Sequence, residues 1–345
     1  MSHSQLPPLL PLLLLTFGLA FLLLAIALKT GIAGYLAMDQ PNQRSLHSVA
    51  IPRVGGIAIV VAVLAAWSLL PQAPPLLMLL TAALAAISYT DDRKGLAVSV
   101  RLASHGAAAL TMVLSGLAGS GQGAWIAAGA AAYAVWMTNA YNFMDGADGL
   151  AGGMAIFGFS AYGIAASAAH AEPLAGMSFI LAAAAGAFVC FNFPPAKVFM
   201  GDAGSISLGF LAAALGLSGW QAGAWPPWFP LLVFSPFLVD ASLTLLRRVL
   251  RGERFWEAHR DHYYQRLIRM GWSHRRTALA EYALMAGVAA SALAGLSVGQ
   301  GMQLLILAGW AITYASMLSA VDIRWRRFVR LVNPVATVNS GNPNL

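Results

Sequence analysis

The 345-residue sequence predicts an all-α, polytopic integral membrane protein of ten or eleven transmembrane helices. Three observations predict it. Apolar residues make up 59% of the chain and charged residues only 10%, with a mean hydropathy of +0.70; a soluble domain carries roughly 25% charged residues. The apolar residues gather into eleven stretches, each near the roughly 17–25 residues that a helix needs to cross a bilayer. Finally, all 20 Lys and Arg fall in alternate connections between those stretches or at their edges, as the positive-inside rule requires.

In chain order the stretches cover 8–29, 55–71, 74–90, 103–119, 123–139, 150–169, 174–192, 205–220, 227–246, 277–297 and 300–320. The first lacks a basic n-region and its apolar run is too long for an h-region, so it reads as a transmembrane helix and not as a signal peptide. With the N-terminus outside, the inner segments are 30–54, 91–102, 140–149, 193–204, 247–276 and 321–345. The short outer connections near 72, 121, 171, 223 and 298 carry no Lys or Arg. The net charge of +7 is therefore mostly a topology signal and no evidence for a nucleic-acid partner. An N-terminus outside and a C-terminus on the cytoplasmic side are expected. Residues 1–330 read as one polytopic domain and 331–345 as a disordered cytoplasmic tail without periodicity. The lone Cys190 permits no internal disulfide and is expected to pack in its apolar run. Asp240 and Glu281 are expected near the inner ends of their spans. Ion-coupled transporters usually place ionisable groups near the midplane, so a transporter fits poorly.

Five inner segments carry candidate chemistry. DQPNQRSLHSVAIPRVGG, residues 39–56, is a loop in which His47 and Arg53 can bind anions; a solvated positive-inside loop is the alternative. YTDDRKGL, residues 89–96, sets Asp91 beside Asp92. Adjacent carboxylates raise each other's pKa, and Arg93, Lys94, a metal or a substrate phosphate could relieve them. In TNAYNFMDGADGLAGG, residues 138–153, Asn139, Asn142, Asp145 and Asp148 recur every three residues, which in a helix brings them near one face. Glycines there admit a close neighbour or ligand. Four oxygen donors suit a hard cation or a hydrogen-bonded sugar.

KVFMGDAGSISLGF, residues 197–210, presents Asp202 between glycines at the start of an apolar run. A helix N-cap explains it, as does a carboxylate waiting for a metal–diphosphate complex. The long segment 247–276 holds nine Arg, no Lys and three His. Arg forks match phosphate geometry bidentately. His259 and His262 would share a helical face; no Cys or third ligand nearby favours Zn²⁺. Carboxylates for Mg²⁺, Arg and His for a diphosphate and an apolar body for a lipid together suit phosphoryl transfer, which depends on positioning and charge neutralisation.

From about Asp39 to Gln265 these five motifs, in this order, resemble the polyprenyl-phosphate N-acetylhexosamine-1-phosphate transferases, glycosyltransferase family 4. That superfamily includes the phospho-N-acetylmuramoyl-pentapeptide transferase and the enzymes that start O-antigen and enterobacterial common antigen synthesis. YNFMDGADGLAGG and HRDHYYQRL look most like the O-antigen branch, whose members use UDP-linked N-acetylated sugars. The muramoyl-pentapeptide branch, the alternative, clusters three His where this chain has His259 and His262 followed by Tyr263 and Tyr264.

The resemblance implies sugar-1-phosphate transfer from a UDP-sugar to undecaprenyl phosphate, with release of UMP and Mg²⁺ (or Mn²⁺) as cofactor. Membrane lipids are further partners, and a homodimer is compatible. Asp91, Asp92 and Asp148 are the catalytic candidates, and Asp202 and Asn142 the metal candidates. Asp145, Asn139, His47, Arg53, Lys94, His259, Arg260 and His262 are the substrate-binding candidates. Direct attack assisted by Asp91 is expected, with a covalent Asp–phosphosugar intermediate as the other route. Two other classes compete: a different membrane transferase, either an aromatic prenyltransferase, whose second acidic residue DDRKG lacks, or a CDP-alcohol phosphotransferase, whose pattern DGADGLAGG does not meet; and a lipid-linked-sugar transporter or non-catalytic scaffold.

Overall fold

A computed structural model describes residues 9–39, 50–117, 123–254 and 259–332. His47 and the segment from 333 onward, which holds most of the expected tail, lie outside the described residues. The chain is helical almost throughout. In order it forms α1 (Leu9–Lys29), α2 (Ile32–Leu36), β1 (Met38–Asp39), β2 (Ile51–Pro52), α3 (Gly55–Trp67), α4 (Pro75–Lys94), α5 (Val98–Leu117), α6 (Ala124–Phe143) and α7 (Leu150–Ala168). Then come α8 (Glu172–Asn192), α9 (Asp202–Gln221), α10 (Trp228–Val233), α11 (Ser235–Leu250), α12 (Tyr263–Arg269), α13 (His274–Gly295) and α14 (Gln300–Val332).

Each of the eleven expected stretches coincides with a helix, the ninth being broken into α10 and α11 at Phe234. Among the described residues, seven helices are long and apolar enough to cross a membrane: α1, α5, α7, α8, α9, α13 and α14. The protein is thus an all-α polytopic membrane protein. α3 has only 13 residues, and α4 and α6 end in the polar residues that build the site.

α9 is the central post, buried along 83% of its span. It is apolar all round, as a helix enclosed by others must be, and packs against α3, α4 and α6. α7 pairs with α8, α1 lies on α8 and α3, and α13 covers α7. Lipid gives helices no hydrophobic reason to associate, so small residues at close crossings matter. Gly56 of α3 meets Gly204 of α9 so tightly that a Cβ on Gly204 would sit 2.5 Å from the Gly56 Cα. An aromatic nest of Tyr141, Phe159, Tyr162, Phe234 and Phe237 fills the heart of the bundle.

Several expectations need correction. The loop 39–56 is anchored by a minimal antiparallel pairing, Met38 with Pro52 and Asp39 with Ile51. α14 runs 12 residues beyond the expected end of its span at 320. Cys190 does not pack inside; it is exposed on the outer face of α8.

Candidate active site

The site is built where the ends of α4, α6, α9 and α11 meet. Neighbours on a helix point about 100° apart, so Asp91 and Asp92 at the end of α4 meet different partners. Asp91 accepts from Arg101 Nη1 at 3.1 Å and from the backbone N–H of Leu96. The Asp92 side chain is 2% exposed. It accepts from the Asp202 backbone N–H at 2.9 Å, the first residue of α9, and from Arg53 Nη1 at 3.4 Å. Arg53 Nη2 in turn reaches Asp39 Oδ1 at 2.7 Å. A carboxylate at a helix N-terminus is favoured by the dipole and satisfies an orphan donor.

The backbone completes that join. Gly55 and Gly56 N–H groups donate to the Phe199 and Met200 carbonyls at 2.9 and 2.8 Å, and Phe199 N–H donates to the Pro52 carbonyl at 2.8 Å. Gly201 turns the chain into α9 at φ 72°, and a Cβ there would meet Asp92 Oδ2 at 2.9 Å. PRVGG and VFMGDAG, far apart in sequence, are thus two halves of one clamp that aims Asp202.

A cavity of about 510 Å³ opens beside the clamp. Its polar end holds Asp91, Arg101, His105, Asn139, Asn142, Asp202, His259, His262 and Gln265, and its apolar walls are Ile87, Val98, Leu102, Val135, Trp136, Phe143, Ile206 and Leu245. Helices α4, α5, α6 and α9 and the segment that joins α11 to α12 therefore bring two carboxylates, two Asn and three His to one space. Asn142 Oδ1 accepts from Ser205 Oγ at 2.6 Å, which ties α6 to α9, and Asn139 Nδ2 donates to the Val135 carbonyl at 2.7 Å.

Not every candidate joins them. α6 ends at Phe143, so the three-residue spacing of Asn139, Asn142, Asp145 and Asp148 does not continue along one helical face. Asp148 lies outside the cavity lining. It accepts from the Ala196 N–H at 3.0 Å and lies 3.1 Å from His274 Nδ1, so it holds the turn before α7 against α13 and the α8–α9 loop. Gly153 is packed against Tyr282, and Gly152 against Val189 and Phe188; these glycines serve helix packing and not a ligand. Lys94 is exposed and Arg260 half-buried, and neither lines the cavity. Arg53 and Asp92 also stand behind the wall, as struts.

Asp145 sits in the turn after α6, outside the spans. Burial first, then the nearby charges of Asp202, Asp92 and Asp39, push its carboxyl well above the ordinary range, against the pull of Arg53. Burial, followed by His262 and Arg248, lowers His259 to about 4, so its ring is neutral at physiological pH. The two imidazoles lie 4.9 Å apart, and Phe143 stacks on His262.

Among the described residues no three His, Cys, Asp or Glu side chains converge closely enough to hold a metal ion unaided. Mg²⁺ does not need such a cage; it commonly binds through one or two carboxylates plus substrate phosphates and waters. Asp91, Asp202 and Asn142, oxygen donors on one cavity, fit that habit.

Three contributors escaped the sequence reading. Arg101 looked like a topology charge, yet it pairs with Asp91. His105, one helical turn later, is buried in the cavity wall. Asp240 gathers the start of α12. The i, i+4 spacing of Arg101 and His105 was the one legible signal; the others depend on contacts across the fold.

The chain is similar to known proteins. Residues 75–219 match glycosyl transferase family 4. The chain is 31% identical to an undecaprenyl-phosphate alpha-N-acetylglucosaminyl 1-phosphate transferase of Yersinia pestis, over 75% of this chain and 76% of that protein. It is 30% identical to a decaprenyl-phosphate N-acetylglucosaminephosphotransferase of Mycobacterium leprae, over 76% and 78%. It is 28% identical to a probable undecaprenyl-phosphate N-acetylglucosaminyl 1-phosphate transferase of Bacillus subtilis, over 74% and 75%. The chain belongs to the polyprenyl-phosphate N-acetylhexosamine-1-phosphate transferases of glycosyl transferase family 4 and is a phosphoglycosyltransferase.

Proposed function

We propose that the protein transfers N-acetylglucosamine 1-phosphate, or a related N-acetylated sugar 1-phosphate, from a UDP-sugar to undecaprenyl phosphate. The reaction takes place at the cytoplasmic face of the bacterial plasma membrane and releases UMP. The lipid-diphosphate-sugar product starts O-antigen or another surface polysaccharide. The observation that carries this reading is the convergence of Asp91, Asn142, Asp202, His259 and His262 on one cavity whose remaining walls are apolar. The relatives' names support the acceptor class and N-acetylglucosamine.

The lipid enters along the apolar wall of α4, α5 and α6, and Arg101 and Asp91 meet its phosphate. The donor enters from the polar end, with its diphosphate toward Asp202 and Asn142 and its sugar toward the His pair. Mg²⁺, held by Asp202 and Asn142 with the donor phosphates, would neutralise charge on the transferred group. An oxygen of the acceptor phosphate bonds to the β-phosphorus of the donor. The bond from that phosphorus to the bridging oxygen breaks, and UMP departs with the oxygen. Asp91, oriented by Arg101, receives any proton that the acceptor phosphate brings. Asp92 and Arg53 keep Asp202 in place while charge redistributes, so positioning is supplied before the reaction.

The test is a panel of UDP-sugars given with undecaprenyl phosphate to the purified protein, with UMP and labelled lipid both measured. UMP release and lipid product with UDP-N-acetylglucosamine or another UDP-N-acetylhexosamine are expected. Binding without UMP release from any of them overturns the reading in favour of a transporter.

A further inference from the structure

Asp240 is an acid buried on α11, with a side chain 7% exposed. Four groups converge on its carboxylate. His262 Nδ1 lies 3.1 Å from Oδ1, and Thr244 Oγ1 donates to the same oxygen at 3.0 Å. The backbone N–H of Tyr263 donates to Oδ1 at 3.0 Å and that of Tyr264 to Oδ2 at 3.2 Å. A carboxylate accepts only, so the proton shared with His262 belongs to the imidazole Nδ1. Nε2 is then the ring nitrogen left for the cavity, and in the neutral ring it carries a lone pair. The ring is kept from swinging by Phe143, His259 and Tyr264, which flank it.

We propose that Asp240 is a positioning residue that fixes the Nδ1–H tautomer of His262 and the N-terminus of α12, so that Nε2 accepts a hydrogen bond from a hydroxyl or acetamido N–H of the donor sugar. The inference rests on the reading of the His wall as the donor-sugar side of the cavity. A carboxylate that sets the tautomer of a functional His is a recurrent device, and its loss typically lowers activity about 10–100-fold. Phosphate oxygens offer no proton to such a lone pair, which is why the partner is assigned to the sugar.

Asp240→Asn tests this. The amide oxygen can still accept from the backbone of α12, while its NH₂ donates to His262 Nδ1 and drives the ring proton to Nε2. We expect kcat/KM for the UDP-sugar to fall about 10–100-fold, and Asp240→Asn to cost nothing further in a His262→Asn background. An undiminished kcat/KM, or an equal loss in both backgrounds, would overturn the proposal. Nitrogen-15 spectra of the histidine-labelled wild-type protein, with His262→Asn to identify the resonance, give a second and fold-independent reading. A proton on Nδ1 of His262 alone supports the proposal, and one on Nε2, with or without Nδ1 protonated, overturns it even if Asp240→Asn fails to fold. Should the wild type turn over no UDP-sugar, the reaction reading fails, and the spectra still decide the Asp240–His262 pair.

Discussion

Asp91 and Asp202 lie 111 positions apart in sequence and face one cavity, while Asp91 and Asp92, adjacent in sequence, do different work. At this scale the strongest expectation concerns Asp202. Asp202→Asn keeps the size of the side chain and the helix start but removes a charge from the proposed cation site. UMP release should fall at least about a hundredfold in a protein that still binds Asp92 through its backbone. Full Mg²⁺-dependent turnover would exclude Asp202 from the metal site. Asp145 makes a prediction about pH. Its folded-state carboxyl sits well above the unfolded value near about 4, because of burial and of Asp202, Asp92 and Asp39. A raised carboxyl favours the folded state at low pH, and that advantage is lost as pH climbs through the folded value. A divalent cation favours the ionised form and works in the opposite direction. In chelator the unfolding temperature should therefore drop between pH 5 and 8, and the gain produced by Mg²⁺ should grow over the same range. Asp145→Asn should flatten both trends; unchanged slopes would dissociate this carboxyl from the site's charge balance.

The helix starts and stops decide which residues reach the cavity. The start of α9 depends on the clamp between β2–α3 and the segment before α9, and the clamp depends on the Gly56–Gly204 crossing. Gly204→Ala places a methyl against the Gly56 Cα and the Met200 side chain; the former is backbone and cannot give way. Overpacking of this kind costs about 1–3 kcal/mol, and here it also displaces Asp202. A lower unfolding midpoint together with reduced UMP release is expected, and normal values for both would mean the crossing is looser than its geometry implies. The helices were legible because each follows an apolar run, and among the described residues seven are long and apolar enough to cross a membrane. The turn at Met144 was not, because propensity alone does not say where α6 gives way to a loop. For that reason Asp148 was grouped with Asn142, although it holds α13 and the α8–α9 loop. α12, buried by its contact with Asp240, carries no period of its own to announce it.

For the whole molecule, the distribution of Lys and Arg makes a topology that can be checked directly. In a Cys190→Ser background, a Cys introduced at Ala222 in the turn after α9 should react with a membrane-impermeant maleimide on intact cells. One introduced at Arg251 should react only after permeabilisation. The reverse pattern would put the cavity on the outer face and sink a reaction that uses a cytoplasmic nucleotide sugar. Composition alone marks a polytopic helical membrane protein, because a bilayer imposes a length rule on each helix separately, and the charge placement yields the topology that the labelling tests. Five motifs in order mark the family for the same reason: each is a local string. Which carboxylate faces the cavity, which one braces a helix, and how Arg101, His105 and Asp240 enter the site were decided only by tertiary structure. Those roles are set by contacts between segments tens to hundreds of residues apart, and no local rule of propensity or spacing contains them.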